Sequence, residues 1–224
     1  MPRHLPLPIM IKHVGVLLVF SCFFPSLLCA GTSETIRMLN ATYQKAKHIE
    51  AAFSQTVRFL EFDTESISTG KVFLKKGKMR WDYITPEPQQ IFIDGDVIMH
   101  YVPAHQQVMK GRIGSQTGLP IDLFIGMDKI ESLFQISESG PATAISNDEI
   151  ILIPKEKGSQ ITQMVLTLIP AKKTGGLLIQ KVAILEENGN QSLFVFKDFQ
   201  INKTFQDDPF LFHLPKGVEI IELP

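Results

Sequence analysis

Apolar and polar residues alternate along most of this chain. In Met79-Arg80-Trp81-Asp82-Tyr83 the alternation is strict: Met79, Trp81 and Tyr83 share one face of an extended strand, Arg80 and Asp82 the other. Val97, Met99 and Tyr101 likewise share a face, and so do Ile49, Ala51, Phe53, Gln55, Val57 and Phe59. Turn formers part the runs at Lys76-Gly77-Lys78, Thr85-Pro86-Glu87-Pro88, Asp94-Gly95-Asp96 and Pro103-Ala104, so residues 70–108 read as a strand meander. A polar turn over 61–65 precedes a strand at 67–75. Further strands are expected at 149–153, 161–169, 177–185 and 191–201, with turns at 172–176 and at Glu187-Asn188-Gly189-Asn190.

Two segments switch to helical spacing. Residues 33–48 bring Ile36, Leu39, Tyr43 and Ala46 onto one stripe, with Ser33 as a cap. After a glycine-containing break at 111–118, residues 119–134 form two short helical pieces that part at Gly126-Met127-Asp128. About ten or eleven strands joined by short turns curl rather than stay flat. The expected fold is mainly β with a few helices, a single antiparallel and strongly curved sheet.

The first 30 residues stand apart from this pattern. Arg3, Lys12 and His13 precede the apolar run Val14-Gly15-Val16-Leu17-Leu18-Val19-Phe20, and Leu28-Cys29-Ala30 ends in a small residue. That is the make-up of an export signal cleaved after Ala30, leaving one domain over residues 31–224. Ser21, Pro25 and Ser26 make the run a poor membrane span, which needs about 20 apolar residues. A retained anchor, or a lipid on Cys22 or Cys29, is the alternative. Both cysteines lie in the leader, so residues 31–224 hold no disulfide and no cysteine-based metal site. The leader takes two of the 22 basic residues and none of the 23 acidic ones, which leaves residues 31–224 at a formal charge of −3. With no basic stripe, nucleic acid is excluded as a partner.

Several phrases carry a family resemblance. They are F-L-K-K-G-K-M-R-W-D-Y at 73–83, P-E-P-Q-Q-I-F-I-D-G-D-V-I-M-H-Y-V-P at 86–103, and Ile49-Glu50-Ala51-Ala52-Phe53-Ser54-Gln55. Gly118-Leu119-Pro120-Ile121-Asp122-Leu123-Phe124-Ile125-Gly126 and Phe210-Leu211-Phe212-His213-Leu214-Pro215-Lys216-Gly217-Val218 complete the set. In this order they resemble the periplasmic outer-membrane lipoprotein carriers of the LolA type over most of residues 33–222. The resemblance implies an unclosed β-barrel with a helical lid, no enzymatic activity and no cofactor. It implies a periplasmic monomer that takes acylated lipoproteins from an ATP-driven inner-membrane transporter and delivers them to an outer-membrane acceptor. Met79, Trp81, Tyr83, Met99 and Tyr101 are then the expected wall of a lipid cavity, and Ile121, Leu123, Phe124 and Ile125 the lid. The family's basic latch, an arginine before Pro-Gly, has Lys76 as its nearest equivalent here, with Lys75 the alternative. The proline is missing, and lysine lacks arginine's rigid fork of donors. A lipid-anchored acceptor of similar fold and a serine acyl enzyme are the other two readings.

Two motifs favour the enzyme at first sight. Ser68-Thr69-Gly70-Lys71 spells S-x-x-K, and Lys173-Thr174-Gly175 spells K-T-G. That chemistry needs serine and lysine side by side, as on a helix. Here the tetrapeptide runs into Val72-Phe73-Leu74, a strand pattern in which residues three apart face opposite ways. His100 and His105 flank a turn without a third ligand nearby, and Asp94 and Asp96 are explained as turn formers around Gly95.

Overall fold

The computed structural model describes residues 30–113, 121–125, 127–138, 149–172 and 175–223. Helix α1 (Ala30–Lys45) leads into β1 (Ile49–Phe59), β2 (Thr64–Lys75), β3 (Lys78–Thr85), β4 (Gln89–Asp94), β5 (Val97–Val102) and β6 (Gln107–Arg112). A helical segment follows: α2 (Ile121–Ile125), a 3-10 turn (Met127–Lys129) and α3 (Ile130–Leu133). Then come β7 (Phe134–Glu138), β8 (Glu149–Pro154), β9 (Ile161–Ala171), β10 (Gly176–Glu186), β11 (Gln191–Ile201) and β12 (Glu219–Glu222). The twelve described strands form one unclosed, curved sheet in the order β12-β6-β5-β4-β3-β2-β1-β11-β10-β9-β8-β7. Their pairings are antiparallel except that of β12 with β6.

The alternation decides which face is which. Phe53, Val72, Met79, Trp81, Ile91, Ile93, Leu166, Val182, Phe194 and Phe196 line one face and form a single core with Ile36 and Leu39 of α1 and Ile121, Leu123 and Ile130 of the helical segment. This is the inner face. The burial of that much apolar surface contributes most to holding the helices on the sheet.

On β2 to β5 the outer face is also covered. Residues 202–218 cross it as a strap before β12 pairs alongside β6. Phe205 of the strap meets Phe73 and His48, with ring centroids at 6.0 and 4.5 Å. Phe212 meets Phe92 and Tyr101 at 4.9 and 6.2 Å. Arg80 lies over the rings of Phe73 and Phe92, donates from Nη1 to the Pro209 carbonyl at 3.0 Å and from Nε to Asp82 at 2.7 Å. Glu50, buried at 4% exposure, accepts from both Lys71 and Lys203 at 3.1 Å and so ties β1, β2 and the strap together.

Several expectations are corrected here. The first helix starts at Ala30 and ends at Lys45, so Ser33 stands inside it and not at its cap position. Gly111 stands inside β6, its Cα side facing Leu223, and does not open a break. The second helical piece ends at Leu133; Phe134 turns extended and pairs with Pro154, making β7. β12 is absent from the sequence expectations, because a four-residue strand that is exposed throughout carries no periodic signal and gets its place from register with residues 107–110. The leader, both cysteines, and Lys173 and Thr174 of the K-T-G phrase lie outside the described residues.

Candidate functional site: an aromatic inner face under helices

Trp81 is the centre of the inner face and is fully buried. Its indole N–H donates to the sulfur of Met79, its neighbour on the same face of β3. Phe53 stands edge-on to Trp81 at 4.8 Å and to Tyr83 at 5.0 Å. Phe194 and Phe196 reach Trp81 at 5.6 and 6.0 Å. Such edge and tilted contacts each add to the burial of the rings.

The ring cluster depends on a gap. Gly70 lies between Phe53 on β1 and Tyr83 on β3 in register. A Cβ there would sit 2.0 Å from the Asp82 carbonyl oxygen and 2.9 Å from the Phe53 ring. Only glycine lets the backbones and the Phe53 ring approach so closely.

Polar groups on this face are few and tied up. The Tyr83 hydroxyl donates to Gln55 Oε1 at 2.8 Å, and burial pushes its pKa well above the usual phenol range. His100 Nε2 lies 2.8 Å from Gln89 Oε1, and burial pushes the imidazole pKa down. An apolar floor with two neutral polar pairs is chemically suited to hydrocarbon and unsuited to ions. Among the described residues no three His, Cys, Asp or Glu side chains group as metal ligands do.

Helix α2 covers the floor. Ile121 and Leu123 are buried against it, and Phe124 stands edge-on to Phe196 at 5.7 Å while its other side meets Tyr43 of α1 at 6.0 Å. Ile125 is the last residue of the same helix. The four expected lid residues thus share one helix, on the face of the sheet where Met79, Trp81 and Tyr83 lie.

Met99 and Tyr101 do not join them. Register pairs Phe92 with Met99 and Gln90 with Tyr101, which puts both on the outer face beside Arg80, and Tyr101 meets Phe212 of the strap. Alternation gives their shared face but not which face it is; the register set by the turn at Asp94-Gly95-Asp96 decides that. Lys75 is on the outer side too: its ammonium lies 3.5 Å from Asp208 and 4.4 Å from the Phe210 ring centroid. It anchors the strap and does not reach for the lid. Lys76 is exposed in the turn between β2 and β3. Ser68 pairs with Gln55 on the inner side and Lys71 turns outward to Glu50, so the S-x-x-K residues point apart. Phe53, Phe194, Phe196 and Tyr43 belong to the site although the sequence reading does not single them out for it. The spacing Ser192-Phe194-Phe196 holds the signal for two of them.

A half-barrel whose aromatic concave face is roofed by helices defines a class of open-sheet proteins with an apolar interior. The profile of the family described as outer membrane lipoprotein carrier protein LolA matches residues 44–213, and the chain belongs to that family. It is 27% identical over 214 residues to an outer-membrane lipoprotein carrier protein of Nitrosomonas europaea, covering 95% of this chain and 99% of that one. A protein of the same description from Cupriavidus pinatubonensis is 25% identical over 219 residues, covering 96% and 98%. The fold is similar to that of an uncharacterized conserved protein from Thermus thermophilus, with TM-score 0.53, 11% identity, and 85% of this chain and 98% of that one covered. A DUF1329 family protein from Desulfovibrio piger gives TM-score 0.52 at 10% identity, covering 81% and 96%.

Proposed function

We propose that this chain carries acylated lipoproteins through the periplasm, holding their acyl chains against the inner face around Met79, Trp81 and Tyr83. The observation that supports this most is the roof: a broad aromatic face is covered by short helices, not by a second sheet. Each acyl methylene is worth about 0.8 kcal/mol on burial, so some forty of them would cost roughly 30 kcal/mol in water. A carrier must hide that surface and then release it. Short helices packed on a ring cluster suit both needs, because rings that fill the interior of the empty protein give way to chains once the roof lifts.

The chain is exported, cleaved near Ala30, and acts as a monomer. Cargo comes from an ATP-driven inner-membrane transporter and passes to an outer-membrane acceptor. With Lys75 engaged by Asp208, Lys76 is the lysine left for the transfer step, and Lys76→Glu impairs delivery while barely moving the melting temperature. Intact mass of the exported protein checks the cleavage; a diacylglyceryl adduct on Cys22 or Cys29 would move the assignment to the acceptor.

The decisive experiment is a titration with a synthetic tripalmitoyl-cysteinyl peptide, read by the single tryptophan and by calorimetry. Saturable heat with a change in Trp81 emission is expected. Heat without any emission change removes Trp81 from the site, and no binding at all sinks the carrier reading.

A further inference from the structure

The sheet is slit along part of its length. β10 pairs with β11 only from Lys181↔Val195 to Leu185↔Gln191. Above that point, Gly176 to Ile179 pair with β9 alone, and Phe196 onward pairs with β1 alone. A register shift in the ladder of β10 with β9, between Ile179 and Lys181, falls where β10 and β11 part.

Helix α1 closes the slit with side chains. The Leu177 N–H donates to Thr42 Oγ1 at 3.0 Å, and the Ile179 N–H donates to the Tyr43 hydroxyl oxygen at 3.3 Å. Thr42 is buried and its own hydroxyl donates to the Met38 carbonyl at 3.1 Å, so it is fixed in place. The fit is tight: a Cβ on Gly176 would lie 1.9 Å from Thr42 Oγ1 and 3.3 Å from the Met38 oxygen. Tyr43 also meets Phe124, which meets Phe196 at the edge of the slit. One helix turn therefore touches the slit, the roof and the ring cluster at once.

We propose that this slit is the entrance through which an acyl chain reaches the aromatic interior, and that Thr42 and Tyr43 hold it shut. The assignment rests on the carrier reading above. A strand-to-strand ladder at this place would open only with loss of sheet. Two side-chain acceptors release two amides to water instead, and each bond holds the closed form by roughly three- to tenfold. A ligand admitted only by the open form loads in proportion to that form's population.

The test uses the full chain, purified as the cell processes it. Tyr43→Phe keeps the ring and removes the acceptor; Thr42→Val keeps the shape; Thr42→Ser restores the hydroxyl. Hydrogen exchange at the Leu177 and Ile179 amides reports the clasp. Stopped-flow anisotropy of a fluorescein-labelled tripalmitoyl peptide reports entry without using Trp81. Tyr43→Phe and Thr42→Val should each raise exchange and association rate about three- to tenfold, with Thr42→Ser near wild type. Leu193→Ala on the outer face should leave both unchanged. Faster exchange at the two amides with wild-type association overturns the entrance, as does faster association in Leu193→Ala. A wild-type chain that takes up no peptide overturns the carrier reading and the entrance with it, whereas a wild-type chain that binds while the variants load no faster overturns the entrance alone.

Discussion

The sheet has two halves that meet at β1, and they differ in what lies on the outer face. On β2 to β5 the strap buries that face, so residues of both orientations are hidden: Val72, Phe73 and Leu74 in β2, Ile91, Phe92 and Ile93 in β4. On β8 to β11 no described segment lies there. Ile151, Val165, Ala183, Leu193 and Thr56 pair one after another from β8 to β1, and Leu193 is 40% exposed. Two layers clamp the first half. The second half has one layer, and it is there that the sheet parts and α1 fills the gap. The floor under Trp81 belongs to the half held on both sides, whereas a strand that packs on one face only has less to break when it shifts.

The largest test of that contrast is a matched pair of truncations. Phe92→Ala removes a ring held between Arg80 and Phe212 and should cost about 3–4 kcal/mol in urea unfolding. Comparable losses in the two halves would dissolve the distinction, so the partner is Leu193→Ala on the uncovered outer face of the second half, taken up last. Next is Arg80→Met, expected to cost about 2 kcal/mol, since it leaves Asp82 unpaired and takes a cation from two rings. Arg80→Lys should recover little of this, because an ammonium cannot reach Asp82 and the Pro209 carbonyl in one plane.

A smaller effect depends on pH. Burial raises the Glu50 carboxyl, but hydrogen bonds from Lys203 and Lys71 outweigh it and hold the carboxyl below its usual range. A depressed carboxylate contributes stability that is full above its unfolded value and is lost as pH falls through the folded one. Wild type should therefore lose strap stability below about pH 4.3, and Glu50→Gln should lack that part of the acid loss. At pH 7 the variant should cost only about 1 kcal/mol, because both lysines are half exposed and return to water. Thermal melts from pH 3 to 7 check the slope. Smallest of all is Leu193→Ala, expected within about 0.5 kcal/mol of wild type.

The same contrast explains what the sequence can tell. β9 and β11 are buried on one face and keep the alternation, which bounds them closely; β11 matches residues 191–201 end to end. β4 is buried on both faces, and there a run such as Ile91-Phe92-Ile93 loses the information about which side is inside. That is why alternation leaves open which wall Met99 and Tyr101, one strand further on, belong to, and register puts them on the outer one. Trp81 and its strand neighbours are legible because β3 alternates strictly. Tyr43 is legible as a helix-stripe residue, but nothing local says that its hydroxyl meets a strand amide 136 residues away. Lys75 and Lys76 adjoin in sequence, and only the strap, folding back from residues 202–218, separates their surroundings: Lys75 meets Asp208 and Phe210 while Lys76 is exposed.

The final strand has a bearing on how the protein survives at high concentration. An open sheet ends in a row of unpaired backbone groups, a template for growth into fibres. β12 occupies the edge that β6 would otherwise present, and it offers a newcomer only four residues, with a glutamate at each end. Glu222 reaches back to Lys110 and Glu219 to Gln107, which pins the short strand down. The last four-residue strand thus blunts the edge at which the open sheet would otherwise grow.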